Sequence, residues 1–389
     1  MNSKRLISII SIILILICLY GCGAVSSTAD PTPTKETPQV QQNETQVITQ
    51  EDTTDPYVKM LMSERYHASA GENDHFVYIV YKSSRDDTGY IIIKEYTGSD
   101  TAVTVPDTLD GFPVIGMYHS IFDATPTVDQ VTFPDSLRTV IFNTRADTDQ
   151  CMVGTAWYAQ QPDGVYYAGK VAIGCKGNGS IVLREDTVGI GGGAFKGRKD
   201  LTAITFPSSL LMISDDAFAG SGLVEITIPV TLQYYFGAFG NCNRLEKVVF
   251  EEGITEITGT VSGSTVKEVV FPESLVTIGK KAFMRCEELH SITLPSGVKT
   301  IGECAFYGSG LSEITLNEGL ERIEQEAFQN CKQLASIRLP ASIREIGIRA
   351  VGFNLDDKAV PGFIVYFAAE NANIMDYLQG NGIACQLEA

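Results

Sequence analysis

The chain has 389 residues, of which 44% are hydrophobic and 36 are glycine, a composition typical of a globular protein with many turns. At this length it has room for about two or three domains. Its formal net charge of -18 opposes the binding of phosphate backbones, so nucleic acid is not an expected partner.

Residues 1–22 have the features of an export signal. Two basic residues precede an apolar run of 14 residues, Leu6–Leu19, which is near the length of a signal h-region and short for a spanning helix. The run ends in Leu19-Tyr20-Gly21-Cys22, which resembles the lipobox of bacterial lipoproteins. That resemblance implies a lipidated Cys22 and an extracytoplasmic protein anchored to the bacterial cell membrane. An ordinary secretory signal and an uncleaved anchor are the alternatives.

The next two segments precede the repeats. Residues 23–56 are rich in Ser, Thr, Pro, Gln and acidic residues and contain few large apolar ones, so they are predicted to be a disordered tether. In residues 57–89, Tyr57–Tyr66 fits a short helix and Phe76–Tyr81 alternates like a strand. We interpret residues 57–89 as an N-terminal cap on the open end of a stack.

One phrase then recurs, in which Ile-x-x-x-Ala-Phe is followed by an apolar pair and Pro. Its Ala-Phe core has successive steps of 23, 21, 44, 23 and 22 residues, and the long step holds a degenerate copy at Val261-Ser262. The last copy, Ala350-Val351, follows after another 23 residues. A constant period of this length predicts a solenoid. The six cores are Ala194-Phe195, Ala217-Phe218, Ala238-Phe239, Ala282-Phe283, Ala305-Phe306 and Ala327-Phe328.

The coil beginning at Ile292 shows how one repeat would fold. Ile292 and Leu294 share one face of a strand, because side chains alternate along a strand, and Pro295 ends it. Val298 and Ile301 then bring apolar side chains back toward the same interior. One coil buries too little apolar surface to offset the conformational entropy that it loses on folding. The coils must therefore stack, with their short strands side by side in a parallel sheet.

This frame resembles the BspA-like leucine-rich repeats of bacterial surface proteins. The resemblance extends upstream to Tyr90–Ile93 and Asp110–Ile115, which look like an opening coil. It implies an α/β repeat solenoid, with right-handed coils and short parallel strands, over residues 90–366. It also implies non-catalytic recognition of protein or glycan.

Two further segments fit the same family. Residues 143–180, which include Thr155–Tyr158 and Gln161–Lys170, are similar to an insertion common in the family. Residues 367–389 look like its C-terminal cap, with a helix near Asn371–Gly382 after a last strand.

Seven of the nine cysteines remain once Cys18 and Cys22 are set aside, and three of them share a place in the repeat. Cys242, Cys286 and Cys331 each follow the repeat position of Phe by three residues. Neighbours in this series are two coils apart and cannot meet at one metal ion, so we interpret them as buried thiols in a structural ladder. The remaining four, which show no disulfide framework, are Cys151, Cys175, Cys304 and Cys385.

Motifs for catalysis, metals and cofactors are weak. Gly189–Ala194 matches a dinucleotide fingerprint, but other repeats have the same frame without the extra glycines, so it is interpreted as a repeat turn. None of the four histidines has metal-ligand spacing. Asp86-Asp87 and Asp147-x-Asp149 lack the remaining features of a calcium loop. We therefore predict no cofactor, no metal and no enzymatic activity.

The candidate binding surface is the outer face of the predicted strands. In each repeat, the residues before and after the first apolar strand position should point outward. They form either a ligand surface or a structural ladder of residues that favour strands. The twelve residues are Glu225, Thr227, Lys247, Val249, Glu268, Val270, Ser291, Thr293, Glu313, Thr315, Ser336 and Arg338.

A second candidate is the aromatic cluster of the insertion, Trp157, Tyr158, Tyr166 and Tyr167. If these rings are exposed they would be binding anchors, and otherwise they pack the insertion onto the stack.

The sequence as a whole leaves three candidate functions. The first is a lipid-anchored, adhesion-like surface module that binds an extracellular protein or glycan. The second is a structural scaffold of an envelope assembly, and the third is an enzyme with a cleft at residues 143–180.

Overall fold

The protein is a solenoid of stacked coils, as the repeat predicts. The computed structural model describes residues 55–61, 66–141, 151–177, 181–367 and 371–387. All of these residues belong to one compact unit, Ile48–Ala389. Strands and turns form most of the described chain, and helix contributes little. A search of the described helices finds none with the length and apolar character needed to cross a membrane.

The N-terminal part combines antiparallel and parallel pairing. It contains helix α1 (Pro56–Leu61) and strands β1 (Tyr66–Glu72), β2 (Phe76–Ser83), β3 (Gly89–Tyr96), β4 (Ala102–Thr104), β5 (Thr108–Leu109), β6 (Phe112–Tyr118), β7 (Gln130–Thr132) and β8 (Thr139–Ile141). Strands β1, β2 and β3 pair antiparallel. Strands β3, β6 and β8 pair parallel, so parallel stacking begins with β3 and β6, which contain Tyr90–Ile93 and most of Asp110–Ile115 of the predicted opening coil. The cap function of residues 57–89 stays a prediction.

The region of the predicted insertion joins the stack through a hairpin. It contains helix α2 (Ala156–Gln160) and strands β9 (Gly164–Ala168) and β10 (Val171–Lys176). The hydroxyl of Thr155 caps the helix by accepting the backbone N–H of Tyr158. Strands β9 and β10 pair antiparallel, and β10 pairs parallel with the first strand of the following repeats.

The repeats that follow alternate strands of two to four residues with turns. In chain order the strands are β11 (Gly189–Ile190), β12 (Met212–Ile213), β13 (Glu225–Ile228), β14 (Lys247–Phe250), β15 (Glu256–Ile257), β16 (Glu268–Val270), β17 (Thr277–Ile278), β18 (Ser291–Thr293), β19 (Thr300–Ile301), β20 (Glu313–Thr315), β21 (Arg322–Ile323), β22 (Ser336–Leu339), β23 (Glu345–Ile346), β24 (Ile364–Phe367) and, after helix α3 (Ala372–Asn381), β25 (Ala384–Leu387).

From β13 onward these strands form two faces of the stack. The longer strands pair parallel in three segments, β13–β14–β16, β18–β20 and β22–β24–β25. The two-residue strands form one five-stranded parallel sheet, β15–β17–β19–β21–β23. We call its exterior the short-strand face. Each short strand places an isoleucine inward, and the adjacent hydrophobic core extends over the whole repeat region.

The interior contains two runs of stacked phenylalanine rings. The centroids of Phe195, Phe218 and Phe239 are separated by 5.2 and 5.1 Å in turn. The rings of Phe283, Phe306 and Phe328 repeat the arrangement at 5.5 and 5.3 Å. Between the runs, the degenerate coil has the buried Val261, and Phe271 contacts Phe283 edge-on at 6.0 Å. The same edge-on contact joins Phe206 to Phe218 at 5.9 Å in a regular coil, so it is a feature of the repeat.

Left-handed residues flank the Ala-Phe pairs. The residue before Ala and the second residue after Phe have φ between 55° and 71° in the regular coils. Glycine adopts this conformation without steric cost, whereas a side chain is strained by it. Gly193 in the Gly-rich motif is one of these turn residues, and Asp216, Lys281 and Glu326 occupy the same position in other coils. The motif leads into turns, with no helix following it.

The three cysteines in the shared repeat position are buried hydrogen-bond donors. Their thiols donate to carbonyl oxygens of the preceding coil at 3.2 Å for Cys242, 3.4 Å for Cys286 and 3.1 Å for Cys331. Burial raises the pKa of Cys286 to about 12 and that of Cys331 to about 11, so both thiols stay protonated at neutral pH. Serines occupy the equivalent position in the alternate coils, namely Ser221, Ser264 and Ser309.

The C-terminal part places a helix between two parallel strands. Asn371 caps α3 by accepting the N–H groups of Asn373 and Ile374, and Gly382 ends the helix in a left-handed conformation. Ile374 and Leu378 of the helix are buried in the repeat core. The prediction that residues 367–389 act as a cap is consistent with this packing and stays an interpretation.

Candidate binding face

The twelve predicted surface residues lie on the six longer strands, and we call their exterior the binding face. The strands alternate outward and inward residues, as in β13, where Glu225 and Thr227 are exposed and Ile226 and Ile228 are buried. Nine of the twelve are exposed, and the other three, Lys247, Val249 and Ser336, are half-buried. The binding face is therefore accessible over the length of the six coils.

The strand register arranges these residues in two columns. Glu225, Lys247 and Glu268 are neighbours in the first column, and Thr227, Val249 and Val270 are neighbours in the second. In the next segment Ser291 is opposite Glu313, and Thr293 is opposite Thr315. In the last segment Ser336 and Arg338 pair with Ile364 and Tyr366 of β24. Equivalent repeat positions thus stand side by side in the fold.

The two columns differ in chemistry. The first contains four charged residues among its six members, and the second is uncharged from Thr227 to Thr315 and ends at Arg338. Lys247 Nζ lies 3.0 Å from Glu268 Oε1. The hydrogen bond to Glu268 raises the pKa of Lys247, with a smaller contribution from its attraction to Glu225. Arg338 Nη1 lies 2.7 Å from Glu318 Oε1, beyond the end of β20.

The short-strand face is a second exposed surface that the sequence analysis missed. Its outward residues are Glu256, Thr277, Thr300, Arg322 and Glu345. Ion pairs link Lys299 with Glu321 at 3.6 Å, Arg344 with Glu321 at 3.4 Å and Arg322 with Glu345 at 3.1 Å. These five ion-paired residues, together with Thr300, line a shallow depression of about 420 Å³. Strands of two residues give almost no alternation signal in a sequence, although the nearly constant spacing of the inward isoleucines marks their positions.

The aromatic cluster of the insertion is mostly internal. Trp157 and Tyr166 are buried in the N-terminal core, and their ring centroids are 6.0 Å apart. Tyr158 is half-buried and contacts Tyr166 at 5.4 Å, and the hydroxyl of Tyr166 donates to the Cys151 carbonyl at 3.1 Å. Tyr167 is half-buried, with the Arg184 guanidinium 3.9 Å from its ring. These contacts favour the interpretation that the cluster packs the insertion onto the stack.

The remaining chemical candidates do not converge in the described part of the chain. No group of three His, Cys, Asp or Glu residues there has the geometry to hold a metal ion. His290 is exposed, with Nδ1 3.1 Å from the carbonyl of Gly310. Asp86 accepts the backbone N–H of Thr88 at 3.1 Å within an exposed turn. Asp147, Asp149 and Cys22 lie outside the described residues.

Comparison with known proteins identifies the repeats. Residues 173–261 and 258–354 match the family described as the BspA type leucine rich repeat region, with 6 copies. No curated protein matches the chain.

Three solved structures are among those similar to the chain. A leucine rich cell surface protein from Faecalibacterium prausnitzii is 17% identical, with a TM-score of 0.31, and the match covers 72% of this chain and 94% of that one. A leucine-rich repeat protein from Bacteroides ovatus is 16% identical, with a TM-score of 0.28 and coverage of 82% and 100%. A leucine rich repeat protein from T. pallidum is 19% identical, with a TM-score of 0.20 and coverage of 82% and 100%.

Proposed function

Because its repeats belong to the BspA-type leucine-rich-repeat family, we propose that this chain is a lipid-anchored, non-catalytic binding module of the bacterial cell surface. Its ligand would be an extracellular protein or glycan, bound in an adhesion-like manner along the binding face. Solenoids present extended surfaces of this kind, in which each repeat adds one row of side chains.

The observation that carries this proposal is the accessibility of the two columns of the binding face. Each of the six longer strands, β13, β14, β16, β18, β20 and β22, gives one side chain to each column, and none of the twelve is buried. A ligand lying across the strands would therefore contact equivalent positions of successive coils. The second column has exposed Thr and Val side chains, including Val270 with 39% of its surface exposed, next to the charged first column. A protein or a glycan could pair polar groups with one column and pack on the other.

The surface location rests on the N-terminal sequence. The Leu19-Tyr20-Gly21-Cys22 motif supports lipidation at Cys22, and residues 23–56 would hold the module away from the membrane. We expect Cys22→Ser to release the full-length protein from membranes into the soluble fraction. Retention of the unlipidated Cys22→Ser variant in the membrane fraction would indicate an uncleaved anchor instead.

The scaffold hypothesis uses the same fold in a different way. A scaffold of an envelope assembly would need the same fold with a featureless outer face. The enzyme hypothesis requires a cleft at residues 143–180, where Trp157 and Tyr166 instead fill the interior of the described part. The chemical contrast between the two columns favours a binding module over both alternatives.

A matched pair of double variants tests the proposal. Thr293 and Thr315 are neighbours on the binding face, and Thr277 and Thr300 are neighbours on the short-strand face. Tyrosine favours strands, so Thr293→Tyr/Thr315→Tyr and Thr277→Tyr/Thr300→Tyr should both fold while adding bulk to one face each. The full chain, inserted in vesicles, is presented to purified host matrix proteins, envelope proteins and a glycan array.

We expect at least one saturable ligand whose affinity falls by about tenfold or more in the first double variant and by less than about twofold in the second. Loss of affinity in both variants, or in neither, would contradict binding along this face. The absence of any saturable ligand from the panel would count against the binding module and in favour of the scaffold.

A further inference from the structure

We propose that the binding face accepts an extended cationic polypeptide segment, one in which Lys or Arg side chains alternate with small apolar ones. This inference rests on the proposed function and names the class of ligand. Two observations support it. The uncharged second column lies between carboxylates, and both cations of the binding face, Lys247 and Arg338, already form ion pairs.

The uncharged row would receive the apolar side chains of the segment. Thr227, Val249 and Val270 are consecutive in register, and Thr293 and Thr315 continue the same column in the next segment of strands. All five side chains are β-branched, and four of them are exposed while Val249 is half-buried. Their methyl groups form a row with roughly the strand spacing of about 4.8 Å between neighbours.

Carboxylates border this row on both sides. On one side lie Glu225, Glu268 and Glu313 of the first column. On the other side, Glu252, Glu273 and Glu318 follow the ends of β14, β16 and β20. The contact of Arg338 with Glu318 at 2.7 Å shows that a cationic side chain in the second column reaches this border. A cationic side chain of a ligand on the row would have carboxylates within similar reach.

The cations of the binding face are already engaged. Lys247 pairs with Glu268 at 3.0 Å, and Arg338 pairs with Glu318. Among the described residues, Glu225, Glu273 and Glu313 have no ion-pair partner. An anionic ligand would therefore meet an excess of negative charge, whereas a cationic one would be attracted by it.

The short-strand face lacks this excess. Its three carboxylates, Glu256, Glu321 and Glu345, are matched in number by the cations Lys299, Arg322 and Arg344, which pair with Glu321 and Glu345. Both faces consist of parallel strands of the same coils, so the difference in charge comes from the residues that flank the strands: Glu252, Glu273 and Glu318 beside the binding face, and Lys299, Glu321 and Arg344 beside the short-strand face. It assigns the cationic ligand to the binding face.

The test uses the full chain in vesicles and three probes. They are a synthetic peptide in which Lys and Val alternate, a peptide of equal length in which Glu and Val alternate, and a sulfated polysaccharide. The face variant is Glu225→Gln/Glu268→Gln/Glu313→Gln. The control variant, Glu95→Gln/Asp107→Asn/Asp376→Asn, removes the same charge from exposed positions on other elements that make no ion pair within the described chain.

We expect the Lys-Val peptide to bind and the face variant to weaken its affinity about tenfold, with loss of the effect at high salt. The control variant should change the affinity by less than about twofold. Glu313→Gln alone breaks no described ion pair and should weaken binding about twofold, which keeps the test valid if the triple variant is unstable.

Failure of the Lys-Val peptide to bind, or an equal loss in the face and control variants, would overturn the inference. Binding of the polysaccharide or the Glu-Val peptide in place of the Lys-Val peptide would overturn it too. Those last outcomes would leave the proposed function standing, because the comparison of the tyrosine variants measures binding along the face independently of charge.

Discussion

The interior of the stack and its binding face are built from the same coils but follow different rules. Inside, equivalent positions have nearly the same residue in each coil, as in the stacked rings of Phe283, Phe306 and Phe328. Outside, equivalent positions vary, and Lys247 stands between Glu225 and Glu268. Close packing restricts the choice of interior residues, whereas an exposed position tolerates almost any residue that a strand accepts. The variable face is therefore where function can differ without loss of the fold.

The largest effect should come from a charge placed in the interior. Phe283 is fully buried, so Phe283→Asp would lose the ring and bury an unpaired carboxylate. We expect a loss of about 4 kcal/mol or more in the free energy of unfolding, measured by chemical denaturation. The exposed change Thr293→Asp should cost only about 1 kcal/mol, because Asp is less suited to a strand than Thr. Equal melting temperatures for the two variants would contradict the contrast between interior and exterior.

A smaller effect should separate the hydrogen bond of the Cys286 thiol from the packing of its side chain. Cys286→Val keeps an apolar side chain but removes the donor to the Val261 carbonyl, and we expect it to cost about 2 kcal/mol of unfolding free energy. Cys286→Ser keeps a donor of the kind that Ser264 already provides in the adjacent coil, where it bonds to the Phe239 carbonyl at 2.8 Å. We expect the serine variant to cost at most half as much, and the reverse order would show that packing alone determines this position.

The same thiol should make the interior sensitive to alkali. Its pKa is raised by burial from 9.0 to about 12, so its stabilising effect is complete below pH 9 and is lost as the pH rises toward 12. At pH 10 the loss should be about 1.4 kcal/mol relative to pH 8, because the unfolded thiol ionises and the folded one does not. The stability difference between wild type and Cys286→Ser should shift by that amount in favour of the serine variant, which becomes the more stable of the two at pH 10. A constant difference would contradict a protonated, buried thiol.

The smallest effect should be found on the binding face. Glu268→Gln breaks the pair with Lys247, in which both side chains are at least one third exposed. Exposed ion pairs stabilise proteins little, so the expected cost is below about 0.5 kcal/mol of unfolding free energy. A loss of more than about 1 kcal/mol would mean that this face has a structural role comparable to that of the interior.

The regular part of this architecture could be predicted from the repeat. The Ala-Phe period predicts a solenoid, and the alternation around Ile226 and Ile292 correctly places their neighbours outward. These features depend on local spacing, which is written directly in the sequence. The serines that alternate with Cys242, Cys286 and Cys331 share the same spacing and could have been found in the same way.

The short-strand face could not be predicted in the same manner. Its strands have two residues each, too few for alternation to separate inside from outside. Lys299 and Arg344 both pair with Glu321 from neighbouring coils. These pairings depend on how far each coil advances along the stack, which no local pattern specifies. The packing of Trp157 against Phe133 likewise joins residues that are distant in the chain.

By itself the sequence determined the period, the inward residues and the identity of the side chains on each outward position. Only the tertiary structure decided which outward residues become neighbours. Parallel pairing places Lys247 between Glu225 and Glu268 and leaves Thr293 beside Thr315, because each coil brings the same repeat position next to its equivalent one strand spacing away. Charge excess on one face and charge balance on the other are consequences of that stacking, since the interactions run between coils and not along the chain.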